Sequence, residues 1–389
     1  MLQVSHPPAE QRLLQIAASR AAALYERDPT MLRGTQAWIQ QSWQRCLASG
    51  HRPDHIATFD AVPRNAPAHT LDANQALLNV ARPMLDQLGA TISSTRYFAI
   101  LTDARGIVIS SHGKIDRSDP RADLITRIGV DLSESRVATT AIGAALGELE
   151  PIWLHRGEHF FESNSVYSCA GAPLFGHQGQ CIGMLDLTGI DAIERPELKH
   201  LVAQSARSIE NALTIDRIKG TTRDILVRLN WPGKTLGDDS DGLVCLNADG
   251  FVTAANQTAR QMLPLLAPIG NAVAAENASP LHHSSDLFAI KFEALFDAAR
   301  ANSHQPALDV PLWSGLRLNA RALSAAEASI PTARTASRPE PHQPLKEIET
   351  ALIRRAVDDA RGNVLKAAKE LGVSRATVYR RLGSLIKRR

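Results

Sequence analysis

The chain has 389 residues, of which 44% are hydrophobic. That is enough for two or three packed domains and excludes a wholly disordered chain. Its formal charge is only +3, from 43 basic and 40 acidic residues, yet between Arg361 and Arg389 nine basic residues face a single acid, Glu370. A mildly acidic body with a basic end points to a polyanion partner for that end alone.

No basic stretch followed by an apolar run opens the sequence, so no secretory leader is expected. No apolar run approaches about 18 residues, so no membrane partner is expected either. Cys46, Cys169, Cys181 and Cys245 are far apart and form no CxxC pair. That spacing argues against a metal site or a disulfide framework and fits a reducing cytoplasm.

In chain order, "QRLLQIAASRAAALYE" and "TQAWIQQSWQRCLASG" repeat apolar residues at helical spacing, so residues 9–50 read as helices. Residues 70–92 read as another. "RYFAILTDARGIVISSHG" is two β-rich runs around a turn at "DARG". Residues 121–147 read as mostly helical. "EPIWLHRG" and "YSCAGAPLFGHQGQCIGMLDLTG" then add strands, and "HLVAQSARSIENALTIDRI" closes with a helix. A second unit is expected near Asp238, where "DGLVCLNADGFVTAANQTARQML" reads as strand, turn, strand and helix. "ALDVPLWSGLRLNARAL" adds two β-rich runs around Ser314-Gly315, and residues 265–285 are poorly patterned. The Ala-, Ser-, Thr- and Pro-rich stretch 324–344 reads as a flexible linker.

The last segment holds three helical patterns: "LKEIETALIRRAVDDARG", "NVLKAAKEL" and "RATVYRRLGSLIKRR", the last two joined by "GVS". Helix, short Gly-containing turn, then a helix opening on polar and basic residues is a helix-turn-helix pattern. Ala367, Ala368, Leu371, Val373, Val378 and Leu382 supply its small core. The DNA-contact set expected from the pattern is Asn363, Lys366, Lys369, Ser374, Arg375, Thr377, Tyr379, Arg380 and Arg381. Arginine forks onto guanine edges, and both basic residue types hold phosphates. "GNVLKAAKELGVSRATVYRRL" closely resembles the Fis-type helix-turn-helix of bacterial regulators. The resemblance implies a dimer through the helix at 345–360, reading half-sites about 34 Å apart on double-stranded DNA.

Upstream, "SWQRCLASGHRPD" resembles the N-terminal signature of AcoR-type regulators, the acetoin-catabolism activator family. "TTAIGAALGELEPIWLHRGEHFF" and "SCAGAPLFGHQGQCIGMLDLTG" resemble its GAF sensor domain. Where that family carries Gly-Thr-Asn, this chain has Ala138-Thr139-Thr140. Residues 238–320 resemble, more weakly, a PAS-like domain. The resemblance implies a small-molecule effector in a mostly apolar pocket with a few orienting polar groups. Candidate contacts are Thr139, Thr140, Trp153, His155, His159, Phe160, Tyr167 and Cys169. Trp153, Phe160 and Tyr167 read equally as core. His155 and His159 are four apart but separated by Gly157, which argues against a helical metal site. Cys169 and Cys181 read as inert buried thiols rather than redox sensors. Acetoin, other alcohols and aromatic compounds are all compatible effectors.

Gly233-Lys234-Thr235 looks like the end of a phosphate-binding loop. The first glycine of such a loop would fall at residue 228, which is Arg228, and Pro232 removes an amide donor. The segment therefore reads as an interdomain loop, and no cofactor is expected. AcoR-type activators carry an ATPase module between sensor and helix-turn-helix. Here about twenty linker residues fill that gap, with no Walker motif.

The expected protein is α+β in its sensor half. An N-terminal helical region (1–69) precedes a GAF-like sensor (70–220) and a PAS-like domain (221–323). The linker (324–344) then leads to an all-α Fis-type helix-turn-helix (345–389). It reads as a cytoplasmic, homodimeric, effector-controlled transcription regulator that touches RNA polymerase or blocks it, without ATP hydrolysis. No catalytic motif is present. The alternative is an accessory or nucleoid-type DNA-binding protein.

Overall fold

The computed structural model describes residues 8–26, 36–57, 62, 66–267, 282–301, 307–329 and 364. The helix-turn-helix expected at 345–389, with its DNA-contact set, lies outside the described residues apart from Val364.

Helices α1 (Pro8–Ala21), α2 (Ala37–Ala48), α3 (Ala66–Ala73) and α4 (Gln75–Thr91) open the chain. The first sheet comprises β1 (Tyr97–Asp103), β2 (Val108–His112), β3 (Ile152–His155), β4 (Tyr167–Phe175) and β5 (Cys181–Ile190). Its order is β2-β1-β5-β4-β3, antiparallel throughout. Between β2 and β3 run three short helices, α5 (Pro120–Ile125), α6 (Glu134–Val137) and α7 (Ala141–Glu148). The long α8 (Leu198–Asp216) follows β5.

Strand alternation sorts the side chains into two cores. On one face Leu185, Leu187, Ala170 and Trp153 pack against Leu85 of α4 and Val202 of α8. On the other, Ile100, Cys169 and Met184 pack against Ile142 of α7 and against Ile39 and Trp43 of α2. The N-terminal helices are thus part of the first sheet's own core. Thr139 ties them down: its hydroxyl lies 2.7 Å from Ser42 Oγ and 3.4 Å from Cys46 Sγ on α2.

The second sheet comprises β6 (Ile225–Asn230), β7 (Gly242–Leu246), β8 (Val252–Ala255), β9 (Leu308–Pro311) and β10 (Arg317–Ser324), ordered β8-β7-β6-β10-β9. Helices α9 (Gln257–Met262), α10 (Ser284–Leu287) and α11 (Glu293–Arg300) accompany it. α9 and α11 contribute to the core on one face. The strands of the second unit begin before Asp238: β6 is the central strand and begins at residue 225, inside the span 221–323 expected for that domain. Arg228 hid it. In sequence it breaks an apolar run, but in the fold it is buried and paired with Asp241 at 3.1 Å.

β6 also corrects the reading of Gly233-Lys234-Thr235. These residues lie in the β6–β7 hairpin within the second sheet rather than between domains. The segment expected to be linker from residue 324 begins as the end of β10 and helix α12 (Ala325–Ser329). Ala325 and Ala328 are buried against Leu226 and Leu323.

α8 joins the two sheets. Its first half covers the first sheet, while Ile215, near its end, packs on the back of the second. Polar bonds fix the crossing. Ser208 Oγ donates to Asp239 Oδ2 at 2.6 Å, and Asn256 Nδ2 donates to Asn211 Oδ1 at 2.7 Å. The β4–β5 hairpin makes a second link. The His177 carbonyl accepts from Ala255 N at 3.0 Å and from an Arg260 Nη at 2.7 Å.

Candidate functional site

A cavity lies on the α7 side of the first sheet, with about 40 Å³ of space open to the centres of water molecules. The backbone beside it is tight. Thr140 caps α7, its hydroxyl accepting from Gly143 N at 3.1 Å. A Cβ on Gly143 would sit 2.8 Å from the Glu134 backbone nitrogen, so only glycine lets the two helices meet. Ala138, at φ 55 and ψ −154, adopts a backbone that glycine favours.

Four of the eight residues expected at an effector site line this cavity: Thr140, His159, Tyr167 and Cys169. Tyr167 donates its hydroxyl to the Arg121 carbonyl at 3.3 Å, and burial pushes its pKa up to about 12. Cys169 sits 3.5 Å from Thr188 Oγ1, and burial raises its thiol well above the usual range, so it is an inert thiol at neutral pH. His159 is held by a 2.9 Å contact from Nδ1 to the Arg156 carbonyl. Burial lowers its pKa to about 4, so the ring is neutral.

The other four are elsewhere. Trp153 and His155 alternate with Ile152 and Leu154 along β3, so they point to the opposite face of the sheet. There the two rings stack 6.2 Å apart, and His155 Nδ1 meets Ser168 Oγ at 2.8 Å. Burial lowers the His155 pKa to about 4. Thr139 serves the α2 contact described above. Phe160 is fully buried and packs edge-on against Phe161, 5.5 Å away.

The cavity also holds polar residues absent from the sequence reading: Asp186, Thr188 and Asn164. Asp186 and Thr188 share the inward face of β5 with Met184, so an acid and a hydroxyl spaced by two on a buried strand were the available signal. Asp186 Oδ2 accepts from the Thr188 hydroxyl, while Oδ1 has no protein partner. Burial raises the Asp186 pKa to about 7. His159 Nε2 is likewise without a partner. Among the described residues no group of three or more His, Cys, Asp or Glu side chains could hold a metal ion. No helix among them is long and apolar enough to cross a membrane.

Two family models match this chain. Residues 31–211 match the MimR N-terminal domain, and residues 344–385 match the family described as bacterial regulatory protein, Fis family. The chain thus carries a stretch similar to the MimR N-terminal domain together with a Fis-family stretch near residue 389. That arrangement is consistent with an AcoR-type regulator.

The chain is similar to the acetoin catabolism regulatory protein of Cupriavidus necator, at 27% identity over 67% of this chain and 38% of that protein. It is similar also to a signal-transduction and transcriptional-control protein of Clostridium beijerinckii, at 26% identity over 58% of this chain and 35% of the relative. The matched region thus spans little more than a third of either relative. Among solved structures, the Escherichia coli DhaR(N)–DhaL complex aligns with a TM-score of 0.43 and 15% identity, covering 73% of this chain and 92% of that one.

Proposed function

We infer that this chain is a cytoplasmic, effector-responsive transcription regulator. It binds operator DNA as a homodimer through its Fis-family helix-turn-helix and takes a small molecule in the first-sheet cavity. It acts by occupancy or by contact with RNA polymerase and hydrolyses no ATP. The observation that carries this reading is the presence, on one chain, of a DNA-binding module and a cavity lined by two residues with an unpartnered polar atom, Asp186 Oδ1 and His159 Nε2.

The β4–β5 hairpin suggests how occupancy is passed on. Tyr167, Cys169, Asp186 and Thr188 line the cavity from these two strands, and their hairpin tip is bonded to Ala255 and Arg260 of the second sheet. A ligand that moves the strands acts on the second sheet through the same hairpin. α8 carries a parallel contact through Ser208 and Asn211. Such coupling needs only differential affinity of the ligand for two states.

The test is genome-wide immunoprecipitation of bound DNA, with an Arg375→Ala, Arg380→Ala double variant as control. Sharp peaks on inverted repeats, lost in the variant, are expected. Diffuse signal that survives the double substitution would contradict sequence-specific regulation and favour the nucleoid or accessory role.

A further inference from the structure

Strands β6 and β10 set two arginines directly opposite each other. Arg321 of β10 is the register partner of Arg228 of β6. Leu323 and Leu226, two places along, are register partners as well and are buried with Ile215 and Ala325. By strand parity both arginines face that same back side of the sheet. Side chains paired across strands in this way start about 4.5–5.5 Å apart at Cβ, and like charges so placed repel.

One buried acid answers the two cations. Asp241, 0% exposed, accepts from Arg228 Nη1 on Oδ2 at 3.1 Å. Gly237 N and the Asn230 amide occupy the rest of its carboxylate. The neighbouring Arg317 is matched by Asp309 at 2.7 Å. The exposed Asp238 is taken up by Ser240 N at 2.7 Å. Arg321 has neither an acid nor a hydrogen-bond partner among the described residues, and Nε of each arginine is buried without a partner. Buried polar groups are nearly always bonded, so two unmatched Nε atoms on opposed residues call for an explanation. Arg228 is 7% exposed, whereas Arg321 and Asn319 are half-buried and leave a way in from solvent.

The charges narrow what can bind. Two guanidiniums against Asp241 leave a surplus of one positive charge. An amine would add to the repulsion. A phosphate monoester, at about −2, would overshoot beside Asp241. A carboxylate supplies one negative charge and two acceptor oxygens, which suit the parallel N–H groups along one edge of a guanidinium. We infer that the opposed guanidiniums of Arg228 and Arg321 form a carboxylate-binding site on the back of the second sheet. The carboxylate accepts from the Nε–Nη edge of Arg321 and from Arg228 Nε. Asn319, two places along β10 on the same face, is a further donor. The site is separate from the first-sheet cavity and does not depend on that cavity taking an effector.

The test is binding of acetate to the full chain at pH 8, with chloride holding the ionic strength constant, followed by relaxation of the acetate methyl protons. Arg321→Met removes one of two opposed charges, so it is expected to fold, and to weaken acetate about tenfold or more. Arg321→Lys keeps the charge without the Nε–H edge and is expected to weaken it as well. Arg317→Met, which loses only the exposed Asp309 pair, is expected to leave acetate binding unchanged. Methyl phosphate, a dianion at this pH, is expected to bind more weakly than acetate. No acetate binding to the parent, binding that survives both Arg321 substitutions, or an equal loss in Arg317→Met overturns the site. Tighter binding of methyl phosphate overturns the choice of a carboxylate. The titration is repeated with about tenfold more protein. An unchanged affinity supports entry of a free carboxylate. Loss of the acetate response at the higher concentration means that an acidic side chain of a second copy fills the site, and overturns the free-ligand reading.

Discussion

Asp186 and Asp241, the most deeply buried aspartates among the described residues, are treated differently. Asp241, in the second domain, has both oxygens occupied. Oδ2 takes Arg228 at 3.1 Å and Gly237 N at 2.7 Å, and Oδ1 takes Asn230 at 3.1 Å. Asp186, in the first, has one oxygen bonded and one left open in a cavity. Burial raises the pKa of both. A saturated buried acid holds a fold together, whereas a half-saturated one beside free space is an invitation to a ligand.

That contrast is easiest to break at Asp241. Asp241→Ala leaves the buried Arg228 unpaired, and is expected to cost about 3–5 kcal/mol in chemical denaturation. Asp186→Leu is expected to leave stability unchanged or raised. Equal losses at the two positions would dissolve the distinction. The next effect concerns Ala138, between the cavity residues Val137 and Thr140. Ala138→Val puts a branched residue at φ 55 and is expected to lose about 1–3 kcal/mol. Ala138→Gly relieves the strain but gives up a buried methyl, so it should stay within about 1 kcal/mol of the parent. A destabilised glycine variant beside an unharmed valine variant would refute this backbone.

The pH dependence sharpens the comparison. The folded pKa of Asp186 is raised from 3.8 to about 7, so the stability tied to its neutral form is lost as pH rises through that window. His155 and His159, lowered to about 4, act in the opposite sense, losing stability as pH falls below their unfolded value of 6.5. The clean observable is therefore a difference. Relative to the parent, Asp186→Leu is expected to gain stability from about pH 4 to about pH 7 and little beyond. A flat difference would mean the acid is not titrating in that range. The smallest effect belongs to the exposed Arg317–Asp309 pair at 2.7 Å. Arg317→Ala should leave the denaturation midpoint unmoved, since solvent screens such pairs.

Much of the fold was legible because alternation is a strong signal. β1 and β2 around Asp103–Gly106, and β9 and β10 around Ser314-Gly315, lie where the apolar pattern puts them. β6 was missed because Arg228 looks like a surface residue until Asp241 is brought beside it by the hairpin. The cavity was half legible for a related reason. Aromatic and histidine residues draw attention in sequence, but strand parity decides their face. It sends Trp153 and His155 away from the cavity and brings Asp186 and Thr188 into it. That an acid on an inward strand position would keep one oxygen without a protein partner depends on contacts made across the whole domain.

Regulation of the proposed kind requires that the cavity and the DNA-binding end be coupled, and coupling is reciprocal. The direct measurement is the affinity of the full chain for an operator fragment, with and without a saturating cavity ligand, in the parent and in Asp186→Leu. A shift of about 5- to 150-fold in the parent, absent in the variant, is expected. Identical operator affinity with the ligand bound and absent would contradict the claim.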